Sequence, residues 1–120
     1  MLSHQRKEYK LNGYPFKEFE KVGINLNLLY NLSRKGFTEK QVLNKAFVYK
    51  YGKPIVSKRN QFLNYYTQHL VRASKFKPND RIEELRDIRE DFFESGILFG
   101  FKVYELGNLW NKLTINHYFN

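Results

Sequence analysis

The apolar positions of this chain fall into runs whose spacing changes from one segment to the next. Phe16, Phe19 and Val22 recur every third residue, which predicts one face of a short helix opened by Pro15 and broken at Gly23. Asn25 can cap a second helix whose inner face is Leu28, Leu29 and Leu32, and Gly36 ends it at the left-handed position glycine favours. Thr38 and Gln41 form a capping box for a third, the Thr38 hydroxyl accepting the Gln41 backbone N–H while the Gln41 side chain reaches back. Val42, Leu43 and Ala46 give that helix its apolar side. Residues 15–46 therefore read as three short helices with tight turns.

Beyond them, 47–56 is rich in β-formers with Gly52 in the middle, the pattern of a hairpin. Ser57 caps a helix running to about residue 75, in which Phe62, Tyr66 and Leu70 are spaced by four. Pro78 closes that region. Asn79 or Asp80 opens a helix with Ile82, Leu85, Ile88 and Phe92 as its apolar residues and charges elsewhere, stopped by Gly96. In the tail, Phe99, Phe101 and Val103 alternate with other residues, as do Leu113, Ile115, His117 and Phe119. Gly107-Asn108 lies between the two runs, so a β-hairpin is predicted, with a helix over 97–106 as the competing reading. The expected fold is thus a single α+β domain spanning 1–120: an N-terminal three-helix unit, two further helices and one or two hairpins. Its predicted core is Phe16, Phe19, Val22, Ile24, Leu29, Leu32, Val42, Ile82, Leu85, Ile88, Phe92, Phe99, Phe101 and Trp110.

Composition narrows the picture. A length of 120 residues with 42% hydrophobic and 18% aromatic side chains supplies a core without staples. The absence of cysteine excludes disulfides and thiolate metal sites and is compatible with a cytoplasmic location, in a bacterial or host cell. Residues 1–13 are polar and basic and end at the Asn12-Gly13 turn. They read as a basic arm, with neither a signal peptide nor a membrane anchor, and no membrane association is expected. The formal charge is +9, and its placement is uneven. Residues 1–60 carry thirteen Lys/Arg against four Asp/Glu, whereas residues 61–120 carry eight of each. An excess of this kind favours phosphate backbones or acidic partners, and it sits wholly in the half that holds the three-helix unit.

A helix-turn-helix needs a glycine or small residue at the turn and apolar groups on both sides, so that its helices pack and the outer face of the second stays free. Around Gly23 the offsets −4, −1, +1, +6 and +9 are Phe19, Val22, Ile24, Leu29 and Leu32. The stretch from Gly23 to Leu43, Gly-Ile-Asn-Leu-Asn-Leu-Leu-Tyr-Asn-Leu-Ser-Arg-Lys-Gly-Phe-Thr-Glu-Lys-Gln-Val-Leu, resembles a helix-turn-helix segment common in phage and mobile-element proteins. The match is collinear without gaps, and the resemblance, taken over residues 15–46, covers about a quarter of the chain. Phe19 stands where that family has alanine, and Ser33 where an aliphatic residue is usual. The resemblance implies that the helix after Gly23 reads DNA, with Asn25 as the serine-type cap, Tyr30 as the family tyrosine, and Arg34 and Lys35 as the basic pair.

The side chains suit that role. Asn27, Asn31 and Arg34 recur at i, i+4, i+7 and share one helical face. Asparagine pairs with the major-groove edge of adenine and arginine with that of guanine. Tyr30 can meet a phosphate or a thymine methyl. Lys17, Lys21, Lys35 and Lys40 can neutralise flanking phosphates, which position a protein without reading sequence. Arg6, Lys7 and Lys10 of the arm can enter a minor groove.

Other constellations are weaker. Lys50, Lys53, Lys58, Arg59, Arg72, Lys75 and Lys77 interleave with Tyr49, Tyr51, Tyr65, Tyr66 and Phe76. A single-strand or RNA surface could be built this way, but core rings with a lysine rim is the preferred reading. His4, His69 and His117 show no metal-ligand spacing. Asp80, Glu83, Glu84, Asp87, Glu90, Asp91 and Glu94 alternate with Arg81, Arg86 and Arg89, as on a solvated, salt-bridged face. No phosphate-binding glycine loop or nucleophile motif is present. The expectation is a non-enzymatic protein that binds double-stranded DNA, sequence-specifically or generally, through residues 25–35. It needs no cofactor and no metal, and acts as a regulator or accessory factor of a phage or mobile element. A homodimer through the aromatic C-terminal half fits such a reader. The alternative is a small inhibitor or adaptor, anti-CRISPR-like, whose basic surface contacts a protein or RNA–protein complex that processes nucleic acid.

Overall fold

Asn12 and Gly13 both take positive φ, 55° and 84°, which a two-residue hairpin loop demands and Asn-Gly adopts at low cost. They join β1 (Lys10–Leu11) to β2 (Tyr14–Pro15), antiparallel, with Leu11 opposite Tyr14. The computed structural model describes residues 9–119, so Arg6 and Lys7 of the expected arm lie outside the described residues. From Tyr9 onward that segment belongs to the fold. Leu11 is buried, and Tyr9 stacks on Phe16 with 5.7 Å between ring centroids. Asn12 donates its backbone N–H to Glu39 Oε1 at 2.7 Å and its side-chain amide to the Leu98 carbonyl at 2.9 Å.

Among the described residues six helices follow: α1 (Phe16–Glu20), α2 (Leu26–Arg34), α3 (Glu39–Tyr51), α4 (Lys58–Ala73), α5 (Pro78–Leu98) and α6 (Val103–His117). Helix accounts for 71% of the described residues, and the two-stranded hairpin is the whole of the sheet among them. The α+β expectation is therefore corrected to an all-helical architecture with one small hairpin at its start. Three caps read from the sequence are in place, whereas α5 opens at Lys77-Pro78 and not at Asn79 or Asp80. Asn25 Oδ1 accepts the Asn27 N–H at 2.8 Å, Ser57 Oγ accepts the Asn60 N–H at 3.1 Å, and Thr38 with Gln41 closes a full capping box.

Neither expected hairpin in the second part of the chain exists, and the reasons are specific. Phe47 to Tyr51 continues α3, because Val42, Ala46, Phe47 and Tyr51 form a buried helical stripe, and only Gly52, at φ 82°, ends it. The segment around 52–57 is an irregular connection. Gly96 does not stop α5 but lies inside it, against α6. A Cβ there would come within 2.6 Å of Leu106 Cδ2, so glycine is what lets the two helices approach. The stop comes at Gly100, φ 100°. The alternation of Phe99, Phe101 and Val103 arises from the α5–α6 turn, where both rings fold inward. Gly107-Asn108 is inside α6, whose inner stripe is Leu106, Leu109, Trp110 and Leu113, while Ile115 and Phe119 are exposed. A helix over 97–106 is likewise not formed as one piece.

The core is in two parts. The hairpin, α1, α2 and the first half of α3 enclose Leu11, Phe16, Phe19, Val22, Ile24, Leu29, Leu32 and Val42. The end of α3 with α4, α5 and α6 encloses an aromatic cluster that includes Phe62, Tyr66, Phe92 and Trp110. Phe99 joins them, with its ring 5.8 Å from Phe19, 5.4 Å from Phe47 and 5.7 Å from Tyr51. Of the predicted core, Leu85, Phe99 and Phe101 are half-buried and Ile82 is 74% exposed. The inner face of α5 runs through Arg81, Leu85, Ile88, Phe92 and Ser95. Ile82 sits about 100° around the helix from Arg81.

Candidate nucleic-acid interface

The α1–α2 corner is built from its apolar positions outward. Phe19, Val22, Ile24, Leu29 and Leu32 are all buried. Gly23 takes φ 89°, a backbone conformation that side chains resist. The turn is fixed by N–H donation from Gly23 to the Glu20 carbonyl at 3.0 Å and from Ile24 to the Phe19 carbonyl at 3.0 Å. Phe19 fits in place of a smaller residue because the Phe99 ring, from the far end of α5, meets it edge to face.

The opposite side of α2 is open. Asn27, Asn31 and Arg34 are exposed on one face, with Asn25 and Lys35 exposed at its two ends. The Asn25 side-chain oxygen is already engaged as the cap. Tyr30 is half-buried, its ring edge-on to Phe16 at 5.2 Å and Tyr9 at 5.7 Å. It packs α2 against the two residues that flank the hairpin. Lys10, Lys17 and Lys40 are exposed on β1, α1 and α3, and Lys21 pairs with Glu18 at 3.0 Å.

The second basic-aromatic set is divided differently. Tyr51 and Tyr66 are buried and Tyr65 is half-buried, so these rings are core, while Tyr49 projects into solvent. Lys50, which the sequence places with the rim lysines, is instead inside. Its side chain is 7% exposed, and its ammonium donates to the Val22 carbonyl at 2.6 Å, Asp91 Oδ1 at 2.7 Å and Ser95 Oγ at 2.9 Å. All three protons are therefore used. Asp91 Oδ2 accepts the Tyr66 hydroxyl at 2.6 Å, and the Tyr66 and Tyr51 hydroxyls are 2.8 Å apart. Burial lowers the Lys50 pKa, opposed by Asp91, and burial raises those of Tyr51 and Tyr66. This network ties the α1–α2 turn to α3, α4 and α5. The signal for it was the helical stripe of α3, which places Lys50 beside Ala46, Phe47 and Tyr51.

A cleft of about 600 Å³ opens beside this network, between the Val22–Gly23 turn and helices α3, α4 and α5, and is lined in part by Tyr49, Tyr65, His69, Glu84 and Asp87. The acidic helix α5 is not salt-bridged as expected. Among the described residues, Asp91 is its one carboxylate within ion-pair distance of a base. Two of its arginines are committed elsewhere: Arg81 donates to the Phe76 carbonyl, and Arg89 lies over the Phe93 ring at 4.8 Å. His69 and His117 are half-buried on α4 and α6, and His4 lies outside the described residues. Among the described residues, no three His, Asp or Glu side chains gather as a metal-holding group, and no helix is long and apolar enough to cross a membrane. Comparison with protein-family models, characterised proteins and solved structures finds no match for this chain.

Proposed function

We propose that this chain is a non-enzymatic binder of double-stranded DNA that lays α2 in the major groove. The observation that carries this reading is the division of α1–turn–α2 into two sides. Its five turn-flanking apolar residues are all buried, while Asn27, Asn31 and Arg34 stand together on the exposed face. A helix packed this way presents hydrogen-bonding groups at the spacing that base edges require. Lys35 closes α2, and the exposed Lys17 on α1 and Lys40 on α3 are the groups assigned to backbone contacts. The chain's +9 charge, concentrated in residues 1–60, draws it to the duplex. Asn25 acts through the helix it caps and Tyr30 through its packing on Tyr9 and Phe16, so neither is a base-reading group.

Selection of binding sites from a random duplex pool tests the reading. The wild-type protein retains duplex, and Arg34→Ala relaxes the preference at one base pair by about 1–3 kcal/mol. Retention that is unchanged when Asn27, Asn31 and Arg34 are all replaced by alanine would overturn it.

A further inference from the structure

The carboxylates of α5 would on their own be an ordinary solvated face. Glu84 and Asp87 line a concave site together with aromatic rings and with Asp91, which is already paired with Lys50. They lie at i and i+3, hence on one face, and neither has a hydrogen-bond or ion-pair partner among the described residues. Two cations of the lining are engaged with other groups, and Arg72 lies near the His69 and Tyr65 side of the cleft. The three protons of Lys50 go to Val22, Asp91 and Ser95, and Lys21 is held by Glu18. Burial and the nearby Arg72 push the His69 imidazole below its ordinary range, which favours its neutral form. The cleft thus holds two carboxylates without a direct ion-pair partner among the described residues, in a protein whose net charge is +9. Its walls add the second requirement. Tyr49 is 57% exposed, and its ring has no ring partner among the described residues. The rings of Tyr65 and His69 lie beside each other at 4.5 Å. The Tyr49 and Tyr65 hydroxyls have no hydrogen-bond partner among the described residues.

We infer that this cleft binds an organic cation, a guanidinium group above all, seated between the Glu84 and Asp87 carboxylates and the Tyr49 and Tyr65 rings. A guanidinium is planar, pairs with carboxylates through two parallel N–H bonds and stacks on aromatic faces. The volume of about 600 Å³ suits a small organic group or a protruding side chain and far exceeds what a simple ion needs. The source is either a free small guanidine or an arginine side chain of a partner protein. This inference is independent of the DNA-binding reading and stands if that reading fails.

Calorimetric titration of the full chain with agmatine, acetyl-arginine amide, an arginine-bearing peptide and the neutral acetyl-glutamine amide tests it. The cations bind saturably and the neutral amide does not. The double variant Glu84→Gln, Asp87→Asn weakens binding about tenfold or more, since it removes both charge-assisted acceptors. Glu83→Gln, Glu90→Gln carries the same charge change on the same helix, outside the cleft, and shifts binding less than about twofold. Tyr49→Leu, at an exposed position, weakens it about threefold through the lost ring face. Tighter binding of the peptide than of agmatine assigns the site to a partner's arginine, and comparable binding assigns it to a small molecule. Equal loss in the two double variants, or no saturable binding of any cation up to about 10 mM, overturns the inference.

Discussion

Replacing Lys50 by methionine keeps most of the stem that runs through the protein and removes the ammonium. Three acceptors then lose their donor: the Val22 carbonyl, Asp91 Oδ1 and Ser95 Oγ. Breaking a buried ion pair from one side costs about 3–5 kcal/mol. Asp91 is 32% exposed, so water recovers part of its solvation, and Ser95 Oγ can still donate to Asp91 at 3.4 Å. The Val22 carbonyl, at the α1–α2 turn, adds a loss of about 1 kcal/mol. The net expectation is about 3 kcal/mol, a large fraction of the stability of a domain this size. Urea unfolding followed by circular dichroism reads it as a lower midpoint at unchanged slope. The partner variant Asp91→Asn leaves Tyr66 an acceptor but turns an amide N–H toward the ammonium. The pair Lys50→Met, Asp91→Asn therefore costs less than the sum of the single changes, by about 1.5 kcal/mol or more. A loss below about 0.5 kcal/mol for Lys50→Met, as at a surface site, or strict additivity of the two, would refute the network.

Gly96→Ala gains helix propensity but drives a methyl group into Leu106, which is fully buried. A net loss of about 1–2 kcal/mol in the same unfolding assay is expected, and a more stable variant would contradict the close approach of α5 and α6. Asn25→Ala should cost about 1 kcal/mol by uncapping α2, measurable as a lower midpoint, whereas Asn31→Ala on the open face should leave stability within about 0.5 kcal/mol of wild type. Burial raises the pKa values of Tyr51 and Tyr66 above 10.0. Above that pH the unfolded chain releases both protons and the folded chain keeps them, so stability falls by about 1.4 kcal/mol per pH unit for each. Lys50, lowered from 10.5, works in the opposite direction just below 10.5, so the fall is steepest beyond it. Stability that stays level from pH 10 to 12 would contradict the buried hydroxyl pair.

What was legible in the sequence was local. The Asn25, Thr38 and Ser57 caps, the Gly36 stop and the Asn12-Gly13 turn each depend on a few adjacent residues, and each stands where the pattern put it. The misreadings share another origin. Phe99 and Phe101 face inward from the two ends of a turn, and so imitate the two-residue period of a strand. Ile115 and Phe119 complete a similar alternation by chance, while the 106–113 stripe of α6 shows only when a period of 3.6 is tested across the glycine. The presence of Gly96 inside α5 and of Lys50 inside the core depends on contacts with Leu106, Asp91 and Val22. Val22 and Asp91 are remote from Lys50 in sequence, and Leu106 meets Gly96 only because the chain reverses at Gly100 between α5 and α6. For the candidate interface, the exposed face of α2 followed from its period. The roles of Tyr30 and Asn25 in packing and capping did not separate from recognition until their contacts were known.

The most direct measurement is fluorescence anisotropy of the full chain with a generic duplex, a single strand and an RNA hairpin at a series of salt concentrations, beside the variant Asn31→Ala, Arg34→Ala. Micromolar or tighter duplex binding is expected, weakened by the variant and falling with salt along a log–log slope of about −4, as four or five neutralised phosphates would give. Absence of binding to every one of these nucleic acids at low salt would contradict the account.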